Sequence, residues 1–284
     1  MDSEKDFKCV FKRYELKYLM NESQAEAVSE AISEHMEPDG FAHSSIRNIY
    51  FDTEDYLLAR RSIEKPLYKE KLRVRSYNTP EDSDTVFVEL KKKYDSVVYK
   101  RRLTMPLGEA LEWLCSDGER PHTQIGEEID YMKVRYPGLR PAMYLSYERD
   151  SFRGEKDLRV TLDSDIKART ENLDLRSGPG GHEVLPEGYT LMEIKTMYGY
   201  PAWLRETLSS AKLYKSSFTK YGNAYKEMII GKLPEEYYGI PGADATVVKR
   251  PFAYAAHVPA SNSVGTVSND FRRRIVRDAG EVRI

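Results

Sequence analysis

Cysteine is scarce: the 284 residues include two, Cys9 and Cys115. That excludes a disulfide scaffold and suits a reducing compartment, so the expected location is cytoplasmic. Cys115 falls in an apolar helical stretch and is expected in the core. Neither the cysteines nor the five histidines reach metal-ligand spacing. His43, His122 and His182 read as lone loop residues with no triad partner. No run of about 18 apolar residues occurs, so no membrane span is expected. The charged start, Met1-Asp2-Ser3-Glu4-Lys5, lacks the apolar stretch of a secretion signal. Charge of one sign is missing too, since 44 Lys and Arg meet 46 Asp and Glu for a net −2. A nucleic-acid binder carries a basic excess, so that partner class is not expected. No GxxxxGK[ST] loop is present, which excludes a P-loop enzyme. The glycines of 178–181 read as a plain connector.

What is present is alternation. Charged residues make up 32% and hydrophobic residues 40%, a globular balance with a wet surface. Strands are expected at 11–20, 46–51, 67–77, 85–93, 97–105, 143–152, 158–163, 166–169 and 190–197. Helices are expected at 21–37, capped by Asn21 and stopped by Pro38-Asp39-Gly40, and at 107–116, 123–136, 201–211 and 217–230. Short connections and the lack of strand-helix alternation predict an α+β fold, mostly antiparallel, with helices packed outside. Trp113 and Trp203 are expected in the core. Residues 1–231 form the expected domain. Residues 232–284 read as a flexible tail whose basic end would dock an acidic or membrane-associated partner.

Side chains two apart on a strand share a face. Arg13, Glu15 and Lys17 do so, as do Lys69, Lys71, Arg73 and Arg75. The same holds for Glu89, Lys91 and Lys93, for Lys100 and Arg102, for Arg159, Thr161 and Asp163, and for Glu193 and Lys195. Any one such face is an ordinary wet surface. A whole set of cationic faces, each opposite an apolar one, predicts a sheet that closes with its charges turned inward. Such an interior repels itself when empty, and it suits phosphate chains, which both Arg and Lys bind. On this reading, removing Arg73 or Arg75 should relieve repulsion, whereas Lys133 on an outer helix should be inert.

Several segments resemble one family in order along residues 7–230. They are Arg13-Tyr14-Glu15-Leu16-Lys17-Tyr18, Tyr50-Phe51-Asp52-Thr53, Lys71-Leu72-Arg73-Val74-Arg75 and Val88-Glu89-Leu90-Lys91. Further on come Tyr147-Glu148-Arg149, Leu158-Arg159-Val160-Thr161-Leu162-Asp163, Met192-Glu193-Ile194-Lys195 and Ser217-Phe218-Thr219-Lys220-Tyr221. Together they are similar to the VTC domain, the polyphosphate polymerase branch of the triphosphate tunnel metalloenzymes (CYTH-like). The resemblance implies an antiparallel β-barrel tunnel with flanking helices. It implies that Lys17, Arg73, Arg75, Lys91, Arg149, Arg159 and Lys220 contact phosphates and that Glu193 holds Mn²⁺ or Mg²⁺. The family often places a second lysine just before the Phe; here that residue is Ser217, so either the nearby Lys215 substitutes or the contact is missing. Tyr50, Tyr56 and Tyr147 are candidates either for hydrogen bonds to phosphate or for packing at the barrel wall.

The resemblance implies a polyphosphate polymerase that moves the terminal phosphoryl of ATP, or another nucleoside triphosphate, onto a polyphosphate chain. Two alternatives stay open at this point: a triphosphatase, and a binding module without turnover.

Overall fold

The computed structural model describes residues 14–230 apart from 96 and 117. The expectations for Cys9, Arg13 and the tail at 232–284 lie outside the described residues. Nine strands form one sheet in the order β1-β9-β7-β6-β2-β3-β4-β5, with β8 paired to β7. They are β1 (Tyr14–Met20), β2 (Glu37–Asp52), β3 (Tyr68–Tyr77), β4 (Thr85–Tyr94), β5 (Val97–Pro106), β6 (Arg140–Arg153), β7 (Arg159–Arg169), β8 (His182–Glu183) and β9 (Thr190–Thr196). Every pairing is antiparallel. The helices are α1 (Glu22–His35), α2 (Leu57–Glu64), α3 (Leu107–Cys115), α4 (Gln124–Arg135), α5 (Ala202–Ser210) and α6 (Lys220–Tyr225).

Two expected breaks are not breaks. Pro38-Asp39-Gly40 lies inside β2, where the register to β6 slips between Pro38 and His43. This half of β2 pairs only with β6, because the ladder to β3 begins at Ile46. An edge position tolerates a proline without a donor, and a bulge absorbs the extra residues. The segments at 158–163 and 166–169 are one strand, β7. They join through a bulge at Asp165, whose φ is 50°, opposite a register shift in β6.

The outward face is apolar and carries two helical covers. Leu72, Val74, Val88 and Leu90 pack under Trp113 of α3 and Ile129 and Met132 of α4. Tyr18, Val160, Met192 and Ile194 pack under Val28 and Ile32 of α1 and Leu204 and Leu208 of α5. Each fully buried aliphatic side chain contributes roughly 1.5–3 kcal/mol. Asn21 caps α1 through a reciprocal box with Gln24, at 3.0 and 3.1 Å. Trp203 is half-buried beside this cluster and stacks on His35. Cys115 is exposed rather than core: the buried stripe of α3 is Leu107, Ala110, Trp113 and Leu114, and the next residue turns off it.

The sheet is strongly curled. β1 and β4 stand six places apart in the strand order, about 29 Å on a flat sheet. Yet Lys71 of β3, the neighbour of β4, donates to Thr219 at 3.2 Å, and the next residue, Lys220, reaches Glu193 of β9, the neighbour of β1, at 3.3 Å. The ends of the order, β1 and β5, share no ladder with each other. The free edge of β1 meets the chain leading into α6: Tyr18 bridges Lys215, and the Ser216 N–H donates to the Lys17 carbonyl at 2.7 Å.

One helix breaks the expectation that all helices pack outside. Phe218 and Tyr221, with Ala224 and Tyr225, pack on the charged face against Ile46, Tyr50, Leu145 and Tyr147. α6 begins at Lys220 rather than at 217, because the Thr219 hydroxyl caps Gly222 N. Tyr221 is locked there by stacking on Tyr50, with centroids 4.3 Å apart, and by donating to Asp52 at 2.6 Å.

Candidate functional site

Strand alternation puts two charge clusters on the inward face, with α6 beside them. The first is built on β1, β9, β7 and β6. Lys17 and Glu193 are register partners, as are Arg149 and Asp163. The Lys17 ammonium lies 3.0 Å from Glu193 Oε1. Arg149 grips Asp163 with both Nε and Nη2, at 2.5 and 2.7 Å. Lys220 of α6 donates to Asp163 and, at 3.3 Å, to Glu193. Burial alone would raise both carboxyls. Lys220, then Lys17, hold Glu193 well below the usual carboxylate range, and Lys220 with Arg149 lowers Asp163.

The second cluster is built on β2, β3, β4 and β5 around Glu89, which is 2% exposed. Arg73 places Nε and Nη2 on Glu89 Oε2 at 2.8 and 2.6 Å and Nη1 on the Tyr50 hydroxyl at 3.0 Å. Arg102 and Lys100 take the other carboxylate oxygen, Lys100 at 2.8 Å. Against its burial, Arg73 and Arg75 lead in pulling Glu89 far below the ordinary value. Tyr147 joins the clusters. Its hydroxyl accepts from Arg75 at 3.1 Å, while Arg149 and Lys220 lie over its ring.

Six of the seven expected cations therefore share this face close together or within its curl: Lys17, Arg73, Arg75, Lys91, Arg149 and Lys220. Lys91 sits on the rung of Lys71 and Lys100 and has no salt bridge among the described residues. Arg159 also shares the face, but it is exposed, between Arg153 and Lys195 in register and without a carboxylate partner among the described residues. Tyr56 does not belong to the site: it packs on Tyr225 and reaches the Ala142 carbonyl. Lys215 does not replace the lysine missing at Ser217, because its bridge to Tyr18 sets it on the outward face. His43 is not a partnerless loop residue. It lies in β2, with Nδ1 2.8 Å from Asp150 and Nε2 3.2 Å from Glu148 across the ladder, on the face away from the cations. Asp52-Thr53 is structural, since Asp52 accepts from the Leu58 and Ala59 amides and so starts α2.

Lys71 is the residue missing from the expected set. Its ammonium finds no carboxylate among the described residues; it donates to the Thr219 hydroxyl at 3.2 Å and lies over the Tyr221 ring. Burial, then Lys91 and Lys17, push it well below the ordinary lysine value. The alternation had already placed it beside Arg73. What no sequence pattern carried was the absence of a carboxylate partner among the described residues.

The VTC domain pattern matches residues 12–229. The chain belongs to the VTC domain family. No curated protein matches this VTC-domain chain. Among solved structures it is similar to a Hippeastrum protein titled an adenylyl cyclase with a dominant triphosphatase activity, at 17% identity and TM-score 0.49 over 79% of this chain and 99% of that one. It is also similar to a Bacillus halodurans protein titled an adenylate cyclase, at 17% identity and TM-score 0.46 over 71% and 90%. A Pyrococcus horikoshii protein follows at 15% identity and TM-score 0.40 over 75% and 96%. No helix among the described residues is long and apolar enough to cross a membrane.

A divalent cation fits one part of this VTC-domain face. Among the described residues no three His, Cys, Asp or Glu side chains stand ready as a protein cage. Glu193 and Asp163, which share Lys220, offer hard oxygens side by side. One or two carboxylates completed by phosphate oxygens and water are the usual donor set of Mg²⁺, and Mn²⁺ accepts the same oxygens.

Proposed function

We propose that the curled sheet encloses a tunnel in which a nucleoside triphosphate, ATP first, passes its terminal phosphoryl to a polyphosphate chain. The observation that carries this reading is the cationic surplus of one inward face. Lys17, Lys71, Arg73, Arg75, Lys91, Lys100, Arg102, Arg149, Lys195 and Lys220 share that face with only Glu15, Glu89, Asp163 and Glu193 among the described residues' carboxylates that these cations meet. So much uncompensated charge is costly in an enclosed space unless a dense anion fills it.

The acceptor oxygen of a phosphate chain is already ionised, so transfer needs no general base. It needs two anions brought together and aligned, which is a matter of positioning and charge compensation. Arg73 and Arg75, aligned on β3, suit successive phosphates as bidentate donors. Lys17, Arg149 and Lys220 would compensate the transferring group, with Lys91 and Arg159 guiding the chain nearer solvent. Glu193 would hold Mn²⁺ or Mg²⁺, which when bound supplies charge to the phosphate oxygens.

The test is the product formed from ATP with Mn²⁺ or Mg²⁺, with and without a short polyphosphate primer. Long chains are the expected outcome. Release of orthophosphate alone would make the protein a triphosphatase, and binding without turnover would make it a polyphosphate-binding module.

A further inference from the structure

Arg73 and Arg75 share one face of β3, but their surroundings differ. Arg73 is neutralised by two contacts to Glu89 within 2.8 Å. Arg75 comes no closer than 3.8 Å to that carboxylate, whose oxygens are already taken by Arg73, Arg102 and Lys100. Its hydrogen-bond partners are neutral. Nε donates to Asn48 Oδ1 at 3.1 Å, and Nη2 donates to the Tyr147 hydroxyl at 3.1 Å. Its Nη1 has no protein acceptor among the described residues and is not sealed from solvent.

Both neutral partners are themselves fixed. Asn48 is fully buried mid-strand, where asparagine is a poor strand former. Its amide donates to the Leu145 carbonyl of β6 at 3.0 Å, which turns Oδ1 toward Arg75. Tyr147 is 2% exposed and held by the bulged β6 beneath Arg149 and Lys220. A carboxylate at either position would pair with the guanidinium and compete with an incoming phosphate. Neutral acceptors fix its direction and leave its charge available.

We propose that Asn48 and Tyr147 are positioning residues that aim the Arg75 guanidinium on the cationic face while leaving it without a hydrogen-bonded carboxylate, so that Arg75 rather than Arg73 is the principal arginine for an incoming oligophosphate. The inference rests on the reading of this face as an oligophosphate site.

The experiment is calorimetric titration of the full chain with inorganic tripolyphosphate in EDTA, alongside melting curves. Wild type is compared with Tyr147→Phe, Asn48→Ser, Arg75→Ala and the double variant Tyr147→Phe/Arg75→Ala. Tyr147→Phe keeps the ring and should weaken binding about tenfold, in line with the loss of one hydrogen bond to a charged group. Arg75→Ala should weaken it further, and the double variant should match Arg75→Ala within about twofold, since partners acting through one group are not additive. A merely structural role predicts the opposite: the tenfold loss recurs on top of Arg75→Ala, and that result overturns the proposal. So does wild-type affinity in both folded Tyr147→Phe and Asn48→Ser. Wild-type protein that binds no tripolyphosphate at all removes the oligophosphate reading itself, and this inference with it.

Discussion

At the scale of single residues, the partner decides what a cation does. Lysines and arginines on one strand face look equivalent in sequence, yet Arg73 is tied to a buried carboxylate and Lys71 is not. The expectation that removing Arg73 relieves repulsion therefore transfers to Lys71. Arg73→Ala would leave Glu89 with fewer counter-charges in a buried place and should lower the melting temperature. Lys71→Met should raise it in ligand-free protein, by roughly 2–4 °C per kcal/mol relieved, and should weaken tripolyphosphate binding. The sign of the pH dependence follows from a lowered folded pKa. The folded state disfavours the charged lysine, so the penalty is full below the lowered folded pKa and vanishes as the pH rises toward about 10.4, the unfolded value. The melting gap between Lys71→Met and wild type should close over that range, and a gap that stays constant up to the unfolded value speaks against an unpaired ammonium. Lys133 is no inert control, since it donates to the Trp113 carbonyl and lies over that ring.

At the scale of elements, α6 is the piece whose position matters most. It is short, and an isolated helix of this length is not stable in water. It persists because Phe218 and Tyr221 are buried against the sheet and Thr219 caps it. In return it delivers Lys220 to Asp163 and Glu193 and Thr219 to Lys71. A chain shortened to end after residue 231 should fold and bind tripolyphosphate as the full chain does. One ending after residue 215 should lose binding by more than tenfold, because Asp163 and Glu193 then face the anion with a cation removed. Circular dichroism with titration calorimetry measures both. Loss of folding in the longer chain would place the domain boundary beyond 231.

At the scale of the whole molecule, a near-neutral total hides a cationic sheet face. Glu193 and Asp163 are occupied by Lys17, Lys220 and Arg149. A metal ion arriving alone would meet those cations, and an anion arriving alone would meet the carboxylates. Each ligand should therefore ease the other's entry, by the same factor in both directions. Mn²⁺ is expected to bind the ligand-free protein weakly and to tighten tripolyphosphate binding at least tenfold, after correction for the chelate formed in solution. Glu193→Gln should abolish turnover and this coupling while keeping metal-free tripolyphosphate binding at or above the wild-type level. Unchanged turnover in that variant removes the metal assignment.

The sequence by itself determined the two-faced strands and the helical covers. Both are local: alternation at period two and apolar spacing such as Val28 and Ile32 follow from backbone geometry alone. It also determined the family, since ordered motifs survive as a linear pattern. Only the tertiary structure decided which cations are neutralised, because Lys17 meets Glu193 through register across strands far apart in the chain and Arg73 meets Glu89 through the register of the β3–β4 hairpin. It decided that Lys71 goes without a carboxylate and that Arg75 rests on Asn48 and Tyr147. It also turned α6 inward and Lys215 outward, through contacts that no local period encodes. Charge in a sequence is additive, whereas its availability depends on what stands within a few ångströms, and the fold alone sets that.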